Sequence, residues 1–503
     1  MKILMLSWEY PPKNIGGLST HVYNLSHALQ KLGCEVHVIT CEEGTAPVEE
    51  NDEGVYVHRV APYNIETDDF TKWVMHLNFA MIEEAIRLIR KIGKIDVIHA
   101  HDWLSAYCAK VLKWSYKIPL VCTIHATEEG RNNGIRTEMQ RYISSAEWML
   151  SYEGLKVMAC SNYMKNEIIK TFAVPEEKVW MIPNGVNTKE FDFEFNWLQF
   201  RRRYANDDEK IVFFIGRHVF EKGIQLIVNA APAIVEGYNK VKFIIAGTGP
   251  MTEELESRIK NMGLEDKFLF TGYMNNDSRN KLYKVANVAV FPSLYEPFGI
   301  VAIEAMIAGC PVVVSDTGGF SEIVEHKVNG MKMINGNSES LKDNVLELFY
   351  NEELSKNIRE NAKKTVEEKY TWDMAANLTM RMYDSVREEV KGTEWEFNEE
   401  TITGKVKRTD EVKETEKEVK VKRTTRKRTS KVASSVKTDK TLEASEKDKK
   451  PLDEKTKEEK SVKPKRTYKR KTVNSESEVK KEEAVLPKTT ARKRTTRKKK
   501  EEL

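Results

Sequence analysis

Short apolar runs alternate with amphipathic helical windows from the first residues to about residue 390. This alternation constrains the fold more than any other feature of the chain. KILMLSW reads as a buried strand, and GLSTHVYNLSHALQKLG repeats apolar positions at helical spacing, with Gly33 as its stop. EVHVIT, VYVHRV, IDVIHAH, PLVCTIHA, KVMACS and KVWMIP are further strand candidates. Continuous Val/Ile-rich strands separated by helices predict a parallel sheet covered on both faces. The pattern breaks in FDFEFNWLQFRRRY (191–204), where charge and aromatics replace strand signals, and restarts with KIVFFIGR, VKFIIAGTG, KFLFTGY, NVAVFPS, PVVVS and GMKMI. The expected fold is α/β, with two doubly wound parallel-sheet domains in tandem. Ligands in such sheets bind beyond the carboxyl ends of the strands, so the cleft between the domains is the expected site. Helical windows follow around Glu352–Glu368 and Thr371–Val390.

Charge divides the 503-residue chain. From Thr401 onward 36 Lys/Arg face 19 Asp/Glu, a net of +17, whereas the first 400 residues hold 45 against 58, a net of −13. After Phe397 only Tyr468 remains as an aromatic, so this stretch cannot bury enough apolar surface to offset its chain entropy and reads as a disordered, Lys/Arg-rich tail. Its blocks KRTTRKRTSK, KPKRTYKRKT and ARKRTTRKKK could bind a polyanion or nucleic acid through tail 401–503 by counterion release, or serve as a self-repelling extension. The six cysteines form no Cys-x-x-Cys pair and several lie in apolar runs, which points to buried reduced thiols. No apolar stretch approaches the roughly 18 residues needed to span a bilayer, and the expected location is cytoplasmic.

The segment EPFGIVAIE sets Glu296 and Glu304 eight positions apart around a Pro-Phe-Gly turn. A helix starting near Phe298–Gly299 leaves Glu296 just outside its N-terminus and Glu304 inside it. Eight residues at about 1.5 Å each span roughly 12 Å, about the length of a nucleotide sugar from hexose to ribose. Amides at the helix start would face the diphosphate between the two acids. Glu304 is flanked by Ile303, Ala305 and Met306, and a carboxylate in such a helix is rarely left unpaired.

This segment resembles the Glu-x7-Glu element of retaining family four (group 1) glycosyltransferases, which have two facing Rossmann-like domains, the GT-B fold. Several other motifs in about residues 1–390 share the resemblance. GRHVFEKG matches the family's Gly-Arg…Glu-Lys-Gly stretch, which implies that Arg217 and Lys222 hold the donor diphosphate. PPKNIGGLSTH is similar to the N-terminal glycine loop, where Gly16 and Gly17 let the backbone approach phosphate or sugar. TIHATEEGR places His125 at a strand end, where the matching residue in glycogen synthases lies against the transferred sugar. HAHDW puts His101 and Asp102 at another strand end facing the cleft. SDTGGFSEIV supplies Thr317, Gly318 and Gly319, whose amides are expected to line the phosphate and sugar, with Glu322 beyond them. Phe298 and Gly299 complete the substrate-binding set. The resemblance implies an acceptor domain at 1–195, a nucleotide-sugar domain at 196–370, a crossover helix at 371–392 and the tail at 393–503.

It further implies metal-independent hexosyl transfer with retention, from ADP-glucose or UDP-glucose, without a cofactor. The glucan-synthase-like opening MLSWEYPP, with HAHDW and TIHA, favours a glucan or other glycan acceptor. Two features depart from bacterial glycogen synthases. Lys13 stands three rather than two residues before Gly16, and those enzymes often lack the second acid. A lipid or cell-surface acceptor is the alternative, because Lys110, Lys113 and Lys117 with Trp114 could rest on an anionic membrane. A nucleic-acid-binding role through the tail is a second alternative. Neither an Asp-x-Asp motif nor a His/Cys/Asp cluster at metal-ligand spacing is visible in the body.

Overall fold

The computed structural model describes residues 1–63, 67 and 69–396. The basic blocks of the tail, and the readings of disorder and polyanion binding made for them, lie outside the described residues. The first domain contains β1 (Lys2–Leu6), β2 (Glu35–Cys41), β3 (Glu49–Asp52), β4 (Val55–Val60), β5 (Val97–His101), β6 (Leu120–Ile124), β7 (Lys156–Ala159) and β8 (Val179–Met181). They form one sheet in the order β3-β4-β2-β1-β5-β6-β7-β8. The second contains β9 (Lys210–Ile215), β10 (Val241–Ala246), β11 (Phe268–Gly272), β12 (Val288–Phe291), β13 (Val312–Ser315) and β14 (Met331–Met333), in the order β11-β10-β9-β12-β13-β14. All predicted strands form, and two doubly wound α/β domains result.

One strand departs from the expected all-parallel arrangement. β3, sequence EEND, runs antiparallel to β4 at the sheet edge. Its polar composition hides it from a hydrophobic-pattern reading, because it buries almost nothing and is held by backbone pairing and by polar contacts such as Glu50 with Arg59 at 2.7 Å and Asp52 with the Tyr10 hydroxyl at 2.9 Å.

The strand order reverses beside β1 in the first sheet and beside β9 in the second. Such reversals open a crevice at the carboxyl ends of the strands. Gly16–Gly17 follow β1, Asp102 follows β5 and His125 follows β6. On the other domain Arg217 and Lys222 follow β9, Glu296 follows β12 and Thr317–Gly319 follow β13. The two carboxyl edges face each other, since a Cβ on Gly17 would lie 3.6 Å from Ile300 Cδ1 of the second domain.

The helix Trp372–Val390 packs its buried face, including Ala376, Tyr383 and Val386, against Leu18, Val22 and Leu25 of the first domain. The described chain continues beyond it to Glu396. Trp395 meets Trp114 edge-on at 5.1 Å, with the Lys113 and Lys117 ammonium groups over its ring at 5.2 and 4.7 Å. Lys113 is itself buried and donates to Glu153 Oε2 at 2.9 Å. Lys110 pairs with the same carboxylate at 3.1 Å, and Lys117 pairs with Glu394 at 3.4 Å. The stripe read as a membrane-facing surface is instead engaged by Glu153, Glu394 and Trp395 as a seat for the chain that follows the crossover helix. All six cysteines are buried and unbridged, and no described helix is long and apolar enough to cross a membrane.

Cation–aromatic contacts of this kind contribute on the order of 1 kcal/mol each. A chain ending after Lys391 should therefore unfold at a measurably lower denaturant midpoint than one ending after Glu396. Equal midpoints would show that Trp395 contributes nothing.

Candidate active site

The acid pair shapes the second domain's face of the cleft. The helix Ile300–Ile307 begins directly after Gly299, as the Pro-Phe-Gly turn predicts. Glu296 is buried, and its Oε2 accepts from Lys222 Nζ at 2.8 Å and from Ser293 Oγ at 3.1 Å. Glu304 is also buried, and its Oε1 pairs with Arg279 Nη1 at 3.2 Å. Burial raises the Glu304 pKa while the Arg279 guanidinium opposes the shift. Beside the other oxygen, Oε2, stands the Tyr283 hydroxyl, which also opposes the rise. Each acid thus has its own cation. Arg279 is invisible to the sequence reading because it sits in a polar helical window, NDSRNKLYKV, that resembles any solvated helix.

The Thr317–Gly319 loop behaves differently from expectation. Gly319 N–H donates to the Glu296 carbonyl at 2.9 Å and Thr317 N–H to the Ser315 carbonyl at 2.9 Å, so neither amide is free to line a ligand. Gly318 has φ +53°, and a Cβ there would sit 1.9 Å from the Glu296 carbonyl oxygen. These glycines are required because the loop is pressed against the acid-bearing turn, with Phe298 buried beside it. Glu322 is engaged by the first domain. Its carboxylate accepts from the backbone amides of Asn162 and Tyr163 at 3.0 and 2.7 Å, capping the helix Asn162–Phe172 from across the cleft. Ser161 Oγ donates to the Pro297 carbonyl at 2.6 Å, and Tyr295 bridges Thr127 and Glu167. These contacts tie the domains together.

Arg217 is half-exposed and touches only Glu221, at 3.5 Å. Lys13 pairs with Glu43 at 2.6 Å, outside the predicted set.

On the first domain, Gly16 and Gly17 open the helix Gly17–Lys31, and Glu9 Oε2 accepts from the Ile15 and Gly16 amides at 3.0 and 3.1 Å. Nothing lies within 4 Å of a Cβ placed on Gly16, so the backbone there borders open space. Asp102 has φ 59° and ψ 170°, a region that non-glycine residues rarely occupy. Its Oδ1 accepts from the His125 amide at 2.8 Å, and burial pushes its pKa up to about 6. The strained residue holds the His125 backbone in place. His101 does not face the cleft but is fully buried against His99, His21 and His125. Burial holds His125 neutral, with a pKa near 3. The fold thereby assembles three histidines from distant stretches, a cluster no spacing rule could reveal: one ring nitrogen each of His21, His101 and His125 lies within 4.8 Å of the others.

Residues of both domains, including Asn14, Thr20, Glu190, Arg279, Ile300 and Glu304, line a cavity of about 300 Å³. A second concavity of about 470 Å³, lined by Trp197, Lys210 and Tyr238, lies at the start of β9 and contains none of these groups.

Facing doubly wound domains, with a paired acid helix on one and strand-end histidine on the other, define a glycosyltransferase of GT-B architecture. The pattern of "Glycosyltransferase Family 4" matches residues 15–190 and that of "Glycosyl transferases group 1" matches residues 196–365. The chain is 42% identical over 389 residues to an uncharacterized glycosyltransferase of Methanocaldococcus jannaschii, covering 76% of this chain and 98% of that one. It is 32% identical over 398 residues to a glycogen synthase of Mycobacterium tuberculosis, covering 76% and 94%. The structure of sucrose-phosphate synthase from Thermosynechococcus elongatus superposes with a TM-score of 0.67 at 21% identity, covering 77% and 99%. The chain belongs to the family 4, group 1 glycosyltransferases.

Behind the site, Glu147 accepts the Glu128 amide with both carboxylate oxygens, at 3.0 and 3.1 Å, and burial pushes its pKa up to about 9. Between its unperturbed value of 4.5 and about 9 the folded chain keeps a proton that the unfolded chain has released. Its contribution to stability is complete below about 4.5 and is lost as pH rises towards 9. Glu147→Gln should therefore gain melting temperature over the parent as pH is raised from about 5 to 8. A gap that stays constant with pH would refute the assignment.

Proposed function

We propose that the protein is a retaining hexosyltransferase moving glucose from ADP-glucose or UDP-glucose to an α-glucan acceptor. One observation carries the reading: Glu296 and Glu304 stand buried at opposite ends of one turn-and-helix element, each beside a cation, across from His125 and Gly16–Gly17. The relationship to a glycogen synthase supports a glucan acceptor.

In this reading Glu296 accepts hydrogen bonds from hydroxyls of the transferred sugar. Glu304 accepts from the ribose through Oε2, the oxygen that Arg279 does not hold. The Lys222 ammonium has three donors, and its bond to Glu296 leaves others for the diphosphate. Arg217, with its side chain extended into solvent, closes on the same group. Together they stabilise the charge that grows on the leaving diphosphate, the role a divalent ion has elsewhere. The acceptor hydroxyl attacks the face from which the diphosphate departs. The new C–O bond forms as the sugar–phosphate bond breaks, and the departing phosphate oxygen takes the hydroxyl proton. Neutral His125 hydrogen-bonds the transferred sugar, with Asp102 fixing its backbone.

The reading is tested by offering ADP-glucose and UDP-glucose with glycogen, maltodextrins or lipid extract, with and without a chelator. Glucan elongation at an unchanged rate in chelator is expected. Transfer to lipid alone, or loss of activity in chelator, would overturn the acceptor or the metal-free step respectively.

Lys222→Ala and Arg217→Ala should each lower turnover by on the order of a hundredfold, as loss of a transition-state charge partner does. Glu304→Gln should raise the donor KM with little change in kcat, because the ribose is remote from the reacting bond. Abolished turnover at saturating donor would reverse the roles of the two acids.

A further inference from the structure

The cluster of His21, His101 and His125 is more than a packed set of rings. Its centroids are 5.3 Å apart for His21–His101, 4.6 Å for His21–His125 and 5.6 Å for His101–His125. His21 Nδ1 bonds Asn184 Oδ1 at 2.7 Å. The amide oxygen can only accept, so Nδ1 carries the proton and Nε2 presents a bare lone pair. That Nε2 is fully buried without a partner, and so is Nε2 of His101, whose Nδ1 lies 3.4 Å from His125 Nε2. Buried polar atoms are rarely left unsatisfied, and two in one cluster call for an occupant. His99 lies beside them but is satisfied on both sides, by the Tyr383 hydroxyl and Thr123 Oγ1 at 2.7 Å each, and forms a wall.

We propose that His21, His101 and His125 form a binding site for a borderline transition-metal cation such as Zn²⁺, which inhibits transfer by holding the His125 ring away from the sugar. Imidazole nitrogen is a preferred ligand for zinc, and three nitrogens with one open position is a recurrent arrangement. Zinc–nitrogen bonds of about 2.0–2.1 Å would draw the nitrogens, now within 4.8 Å, together by roughly 1 Å, a matter of small ring rotations. The Asn184 contact is the outer hydrogen bond that metal-binding histidines characteristically make through their other ring nitrogen. His125, partly exposed, gives access from the cleft, whereas His21 and His101 are closed to solvent. Binding is independent of the function proposed above; the inhibitory consequence rests on it.

The experiment titrates Zn²⁺, and Co²⁺ as a spectroscopic stand-in, into the untagged full-length protein, reading bound metal per chain, the cobalt absorption of a nitrogen-ligated site and the thermal transition. A second acid–histidine group, Glu49, His58 and Glu84, lies elsewhere in the first domain, so His58→Ala serves as a control. Zinc binding at this cluster should survive His58→Ala, weaken at least tenfold in His21→Ala and His101→Ala, and weaken about ten- to a hundredfold in Asn184→Ala, where no ligand is removed. The Asn184 variant keeps the question answerable if a histidine variant fails to fold. No stoichiometric binding, binding unchanged in the His21, His101 and Asn184 variants, or binding lost in His58→Ala would overturn the site. Stoichiometric binding without inhibition would overturn the inhibitory role while leaving transfer itself untouched.

Discussion

Every polar group of the cleft is placed by one constraint: two parallel sheets meet along their carboxyl edges. Parallel strands all deliver their loops to the same end, so chain segments hundreds of residues apart arrive in one crevice. Gly16, Asp102 and His125 arrive from three strands of one sheet, and Lys222, Glu296 and Gly318 from three strands of the other. The price of the arrangement is two carboxylates taken out of water. A buried charge left alone costs several kcal/mol, and the fold answers with one cation for each acid, Lys222 and Arg279.

The two cations differ in how firmly they are committed. Arg279 is nearly enclosed, and its partner Glu304 lies in the middle of a helix whose other side chains are apolar. That pair is part of the packing. Lys222 lies partly open, on a short turn after β9, and reaches Glu296 from the rim. A flexible ammonium with spare donors can serve a carboxylate and an arriving anion together, which a sequestered guanidinium cannot. One acid is thus held by structure and the other by a group that remains available to a ligand.

Much of this was legible in the sequence because the signals were local. All predicted strands form since each is a short, mostly apolar run, and the start of the helix at Ile300 is announced by Pro297-Phe298-Gly299. The antiparallel β3 was not legible, because EEND carries no apolar pattern and is defined by its neighbour's backbone. Glycines 318 and 319 are required by packing as well as by any ligand, which the sequence does not show. Sequence cannot tell a glycine that admits a ligand from one that admits another loop, and here the occupant is the Glu296 turn. Arg279, Asn184 and the His21–His101–His125 cluster required the fold itself, since their partners lie on distant segments. The Lys110–Lys117 stripe failed for a related reason: its helical spacing was real, but Glu153 and Trp395 had already claimed its charges and rings.

The contacts that join the domains are unevenly distributed, and this bears on how a substrate enters. Polar bonds across the cleft gather on Thr127, Ser161–Tyr163 and Glu167 of the first domain, meeting Tyr295, Pro297 and Glu322 of the second. The cavity instead draws its walls from Asn14–Asn24, Gly185–Phe191 and Asn276–Glu304. None of these residues lines it, although Glu190, which does, accepts from Asn280 Nδ2 through its carbonyl at 3.3 Å. The cleft is therefore fastened more heavily on one side than on the other, and the Glu296–Glu304 element runs between them: its first acid adjoins the fastening at Pro297, and its second reaches the cavity. A ligand filling the cavity would approach Glu304 first, while the hydrogen-bonded side keeps Glu296, Lys222 and the loop at Gly318 in register. Glu322 is central to that register, because a carboxylate accepting from two amides at a helix start combines a charge-assisted bond with the favourable end of the helix dipole. This fastening concentrates most of the charge-assisted and hydroxyl bonds between the two domains at one edge, while the cavity edge carries bonds to the Glu190 and Phe193 carbonyls.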